Sequence, residues 1–226
     1  MVMHRQSFPA LRTCPQRPFP AAHPHCHLLL PCVHLLSNNH VLADENRAKL
    51  GDTILPPGAF DGGKNPKDVI GSLAKFEPMN RIGVNFVDGA IATSKESIKF
   101  DMRKLQGLGN LAGVGPAILN AGTKVAKVGR TTGLTRGRVT AFELDNVVVG
   151  YDIGNLRFDN QIEIEAADDG AFSQGGDSGS VIVDEKRLAV ALLFAGGDQG
   201  GSNGRGLTYA NPIQTVLDTL KVDLAF

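Results

Sequence analysis

Short apolar bursts rich in valine and isoleucine recur along this chain with glycines between them, as in "KVAKVG", "NQIEIEA", "SVIVD" and "RLAVALLFAGG". In "NQIEIEA" (160–166) every second side chain falls on one face, as a half-buried strand requires. β-Branched residues suit a pleated surface, and glycine adopts turn conformations that other residues avoid. A chain of this texture folds as many short strands. With 226 residues it is long enough to bury a sizeable core. Strands are expected within 69–78, 80–94, 123–149, 160–166, 181–184 and 187–197, with loop chemistry over 44–69 and a glycine-bearing connector over 95–115. One helix is expected over 211–222. Asn211 would cap it, Pro212 would take its first position, and Ile213, Val216, Leu217 and Leu220 would share one face.

The first 34 residues differ from the rest. They hold six of the twelve prolines, all three cysteines and five of the six histidines, and neither a glycine nor an acid. Prolines at this density make poor ladder partners, so this segment is expected to be atypical and poorly ordered. Its "HPHCH" (23–27) lacks the usual zinc spacing, and its apolar stretch lacks the small-residue cleavage site of a signal peptide, so neither a metal nor secretion is expected. No cysteine follows Cys32, which is compatible with a reducing, cytoplasmic setting. Lys plus Arg equals Asp plus Glu at 23 each, which disfavours nucleic acid and anionic membranes as partners. No apolar run approaches the roughly 18 residues of a membrane-spanning helix.

"GGDSGS" (175–180) stands just before "VIVD". Two readings of it are open: a glycine-rich hairpin turn, or a nucleophilic serine among backbone N–H groups that can stabilise an oxyanion. Residue order constrains the second. A catalytic serine needs a base and an orienting acid. All six histidines, at 4, 23, 25, 27, 34 and 40, precede Ser178, and no acid precedes His40. Only the order His, Asp, Ser is left. His40 follows "LLSNN", and Asp88 lies in "FVDGAIA", where apolar neighbours could bury an acid.

In these three motifs the chain resembles the trypsin-like serine proteases, and most nearly the disulfide-free bacterial proteins related to the plant narrow-leaf family. "KVGRTTGLTRG" (127–137) and "LTYANPIQTVL" (207–217) extend the resemblance, which covers about residues 35–222. It implies an all-β fold of two antiparallel β-barrels with a C-terminal helix: residues 35–115 form the first barrel, with His40 and Asp88, and residues 116–226 the second, with Ser178. It implies a serine endopeptidase acting on polypeptides without a cofactor, with Ser178 as nucleophile, His40 as base, Asp88 as orienting acid, and the N–H groups of Gly176 and Ser178 as oxyanion hole. Phe172 would form the base of the substrate pocket and Phe194, Ala195 and Gly196 its wall, which suits an apolar substrate residue. Asp177 would hold its loop by bonds internal to the chain, since no "IVGG" start is present to supply a new N-terminus. Too few suitable residues precede His40 to complete the first barrel. That gap implies a weakly active, unstable or self-associating chain, with an inactive peptide-binding scaffold or an esterase as the alternatives.

Overall fold

Most of the apolar bursts become strands, and the glycines between them become turns. The computed structural model describes residues 10–12, 33–58, 62–98, 101 and 103–225. In its first half lie β1 (Ala10–Arg12), β2 (Val33–Ser37), the short helix α1 (Asn39–Leu42), β3 (Thr53–Ile54), β4 (Gly71–Phe76) and β5 (Ala90–Ser94). The expected connector carries three two-residue strands, β6 (Lys104–Leu105), β7 (Gly109–Asn110) and β8 (Gly113–Val114). The second half holds β9 (Lys124–Gly129), β10 (Gly133–Leu144), β11 (Val147–Tyr151), β12 (Gly154–Phe158), β13 (Gln161–Ala166), β14 (Val181–Asp184), β15 (Leu188–Gly197) and β16 (Leu207–Pro212). The helix α2 (Ile213–Leu220) and β17 (Asp223–Leu224) end the chain.

The second half closes on itself. Its strands run in the order β14-β9-β10-β13-β16-β15, and β14 also pairs with β15, which makes a closed barrel of six antiparallel strands. Closure leaves this ring no free edge. Inside it Val125, Val139, Ile162, Ile164, Ile182, Val190 and Leu193 pack together. The first half forms a six-stranded sheet in the order β17-β1-β2-β5-β4-β3, and among the described residues nothing pairs its two end strands. Five residues of the proline-rich segment enter this sheet, Val33 and His34 in β2 and the three of β1: Ala10 pairs with Leu35, Arg12 with Val33, and Leu11 with Leu224. Apart from these, the segment expected to be poorly ordered lies outside the described residues, as does "HPHCH".

The two halves share one core. Leu36, Val87 and Ile91 of the first meet Val181, Val183 and Leu192 of the second, and α2 closes over them with Ile213, Val216, Leu217 and Leu220. This is the apolar helical face expected from the sequence, but the helix starts later. Pro212 sits at its N-cap, and the Asn211 side chain turns away to other partners. Residues 80–89, expected to lie in a strand, carry only an isolated bridge from Asn85 to Phe158. Here the Asn85 side chain takes over the pairing: it accepts from the amide of Asn80 and donates to the carbonyls of Asn80 and Arg157.

Ile182 has no exposed surface and lies on the strand that completes the ring. Ile182→Ala should therefore lower stability by about 2–5 kcal/mol, read from the denaturant midpoint. A loss well under 1 kcal/mol would mean that this core collapses around the gap.

Candidate active site

His40 is set by the step from strand to helix. β2 ends at Ser37, Asn38 is extended, and α1 begins at Asn39. This places the backbone amide and the ring of His40 against one carboxylate. The amide donates to Asp88 Oδ1 at 3.1 Å, and Nδ1 lies 2.5 Å from Asp88 Oδ2. Tyr151 donates its hydroxyl to the same Oδ2 at 2.9 Å. A carboxylate already receiving other donors acts as acceptor, so Nδ1 carries the proton and Nε2 keeps its lone pair. Asp88 is fully buried, whereas His40 is partly exposed. The backbone around Asp88 is also fixed: its amide donates to Asn211 Oδ1 at 3.1 Å, and its carbonyl accepts from Asn38 Nδ2 at 2.8 Å.

The Ser178 loop packs against the same step. Gly179 has φ +83°, and a Cβ there would overlap Ser37 Oγ, so this close approach demands glycine. Through this contact Ser178 comes beside the strand that leads into His40, although no hydrogen bond joins Ser178 to His40. Nearby amides are occupied: Gln174 donates to Asp177 Oδ2, Asp177 to the Gln174 carbonyl, Gly179 to the Leu193 carbonyl and Ser180 to the Asp177 carbonyl. By contrast, the amides of Gly176 and Ser178 donate to no atom among the described residues. Gly176 has φ +94°, a conformation natural to glycine.

Asp177 is the internal anchor expected for this loop, and its cation is Lys127. Both side chains are fully buried, with Lys127 Nζ 3.0 Å from Asp177 Oδ2. Thr132 Oγ1 donates to Asp177 Oδ2 at 2.7 Å and accepts from Lys127 at 2.5 Å. The amides of Thr131 and Thr132 donate to Asp177 Oδ1. Burial pushes the Asp177 carboxyl up, but the Thr132, Lys127 and Thr131 donors together outweigh it and hold the group below the usual aspartate value. Lys127 has only two acceptors, so burial prevails over Asp177 and draws its ammonium below the usual lysine value.

Beyond the loop opens a cavity of about 480 Å³ lined by Asp169, Ser173, Gln174, Asp198 and Arg205 among others. None of the four expected pocket residues lines it. Phe172 is buried in the core of the closed barrel, its ring against Lys127, and Phe194 is buried against Phe158. Their chain positions are as expected, but strand packing turns both rings inward. Gly196 lies close to Ser173 without lining the cavity itself, and Ala195 packs partly against the Phe194 cluster. The lining of this cavity is mostly polar. Among the described residues no group of three or more His, Cys, Asp or Glu could hold a metal, and no helix is long and apolar enough to cross a membrane.

The Nal1 C-terminal domain family matches residues 73–216, a span that runs from β4 into α2 and takes in Asp88 and Ser178. The chain belongs to this family. Solved structures add its fold. Nocardiopsis protease aligns with a TM-score of 0.60 at 15% identity, over 98% of this chain and 92% of its own. Thermobifida fusca protease A gives 0.59 at 16%, over 97% and 90%. Cellulomonas bogoriensis chymotrypsin gives 0.55 at 20%, over 84% and 85%. At such identities the likeness concerns fold: this member of the Nal1 C-terminal domain family has the chymotrypsin-type fold of bacterial serine proteases, and no cysteine falls within the matched span. No curated protein matches the chain.

Lys127, Tyr151 and Asn211 were not singled out by sequence as site residues. For Lys127 a signal existed, since it shares the inward face of β9 with the buried Val125. Lys127→Ala should destabilise the protein by about 3–5 kcal/mol, because it strands a buried carboxylate. Since the folded Asp177 value is depressed, its contribution is fully present above the unfolded value of about 3.9. That contribution is lost as pH falls through the lower folded value. Acid unfolding of the parent followed by circular dichroism checks the sign, and stability that rises on acidification would contradict it.

Proposed function

We propose that the protein is a serine endopeptidase in which Ser178, His40 and Asp88 form the triad. The observation that carries this reading is the buried Asp88 carboxylate, which fixes His40 with Nδ1 engaged and Nε2 available as a base. In the proposed cycle His40 Nε2 takes the Ser178 Oγ proton as Oγ bonds to the carbonyl carbon of a peptide. The carbonyl oxygen gains the charge, and the unpaired amides of Gly176 and Ser178 suit it as donors. His40 then returns the proton to the leaving amine, the C–N bond breaks, and an acyl-enzyme is left on Ser178. Water, deprotonated by His40, releases the acid and restores the serine. Asp88 stays ionised throughout and stabilises the imidazolium. The polar cavity supports a polar or charged side chain beside the scissile bond.

A scaffold that keeps this fold without turnover is the second reading, and one observation favours it: Ser178 and His40 are not hydrogen-bonded. Such bonds are often long in unliganded proteases and tighten on substrate binding. A fluorophosphonate probe separates the two readings. The parent should label at Ser178, and Ser178→Ala should lose both labelling and peptide hydrolysis while keeping its fold. Equal labelling of the two would remove Ser178 from the role. Asp88→Asn should slow hydrolysis by about four orders of magnitude, because Asn favours the wrong tautomer of His40. A loss under about tenfold would assign the orienting role to another acid.

A further inference from the structure

Tyr151 stands apart from every motif of the triad, yet it touches the triad's acid. It ends β11, and the β11–β12 hairpin forms a two-stranded sheet of its own beside the closed barrel. From there the ring reaches across to the first half. Its hydroxyl donates to Asp88 Oδ2, the oxygen that also faces His40 Nδ1. The ring centroid lies 5.8 Å from that of His40 and 6.1 Å from that of Phe158, whose ring leans on Phe194 at 4.8 Å. This aromatic row braces Tyr151 from behind.

The hairpin tip is fastened to the turn that follows His40. The amides of Asp152 and Ile153 donate to the Glu45 carboxylate at 3.2 and 3.0 Å. Arg47 donates to Asp152 Oδ2 at 3.3 Å and holds Asp44 on its other side. Two attachments therefore tie the hairpin to the His40 element, one buried and one at the rim. Burial, reinforced by the charges of Asp88 and Glu45, pushes the Tyr151 hydroxyl far above the usual tyrosine range. It is thus a donor at every working pH.

We infer that Tyr151 is a positioning residue, whose hydroxyl fixes the rotation of the Asp88 carboxylate so that Oδ2 meets His40 Nδ1. Two donors on Oδ2 and the His40 amide on Oδ1 leave the carboxylate one orientation. Without the hydroxyl only the His40 contacts restrain it, and the imidazole spends less time in the reactive tautomer and pose. A displaced base is costly to rate and not to binding. Tyr151 touches no substrate in this scheme; it acts through Asp88. The kinetic consequence rests on the peptidase reading, whereas the effect on the His40–Asp88 pair does not.

Tyr151→Phe keeps the ring and removes only the donor, so it tests this directly. The low-field Nδ1–H proton of His40, assigned by its loss in His40→Ala, should exchange with water about tenfold faster in Tyr151→Phe. In the same variant kcat should fall about tenfold with KM unchanged. The thermal midpoint should change little, which a purely structural role would not predict. An Nδ1–H exchange rate equal to that of the parent would overturn the inference. A parent that neither labels with fluorophosphonate nor cleaves peptides would overturn the peptidase reading instead, and the exchange comparison would still decide the role of Tyr151.

Discussion

A buried carboxylate at the junction of two sheets must find its partners there, and Asp88 takes them from both sides. Its carboxylate accepts from His40 of the first half and Tyr151 of the second, while its backbone carbonyl accepts from Asn38 of the first and its amide donates to Asn211 of the second. Asn211 extends the network by donating to Gln161 Oε1 at 2.7 Å, and Gln161 donates on to the Phe86 carbonyl. Buried charge is costly to leave under-satisfied, and sliding the halves apart would take the Tyr151 hydroxyl from the carboxylate and Asn211 from the Asp88 amide. The shared apolar core under α2 holds the two halves together but is tolerant of direction. Asp88 and its donors supply the direction. Forming the interface therefore completes the set of donors around the carboxylate that faces His40.

A second buried acid does the equivalent work for the Ser178 loop. Asp177 receives Lys127, Thr132 and the amides of Thr131, Thr132 and Gln174, and so binds the β9–β10 turn to the loop. With its amide and carbonyl also engaged by Gln174 and Ser180, the backbone on both sides of Ser178 is fixed. The amides of Gly175, Gly176 and Ser178 donate to no atom among the described residues. One acid faces an imidazole and the other holds the loop that carries these N–H groups. The two sets share no residue, so defects in them should be separable.

The order of His40, Asp88 and Ser178 was legible because every histidine lies early in the chain and every earlier position lacks an acid. Strand texture was legible for the same reason that the barrel forms: alternation encodes a face. Side-chain direction at the pocket was not. Phe172 and Phe194 lie at the right distances along the chain from Ser178, but which way each ring turns depends on the sheet beneath it, and both turn into core. The stretch 80–89 was expected to be part of a strand that runs on to residue 94. Its pairing went to the Asn85 side chain, which periodicity cannot register. Tyr151, one residue at the end of "VVVGY", carries no spacing signal; only the fold of the hairpin brings it to Asp88.

Where the two functional loops meet, the packing is least satisfied. Among the described residues two buried side-chain atoms lack a hydrogen-bond partner, Ser37 Oγ and Asn38 Oδ1. They are consecutive in the chain, at the step from β2 into the His40 helix, and Ser37 is the residue against which Gly179 presses. Each unpaired atom costs about 1–3 kcal/mol. Every other buried side-chain polar atom among the described residues has a partner, so the cost is confined to the seam between the His40 and Ser178 loops. A hydroxyl that wants a partner, a glycine loop at its closest approach, and a serine not yet bonded to His40 occupy that seam together. The two buried acids hold its flanks rigid. The unpaired atoms and the closest approach of the two loops thus fall at one place, between Ser37 and Gly179.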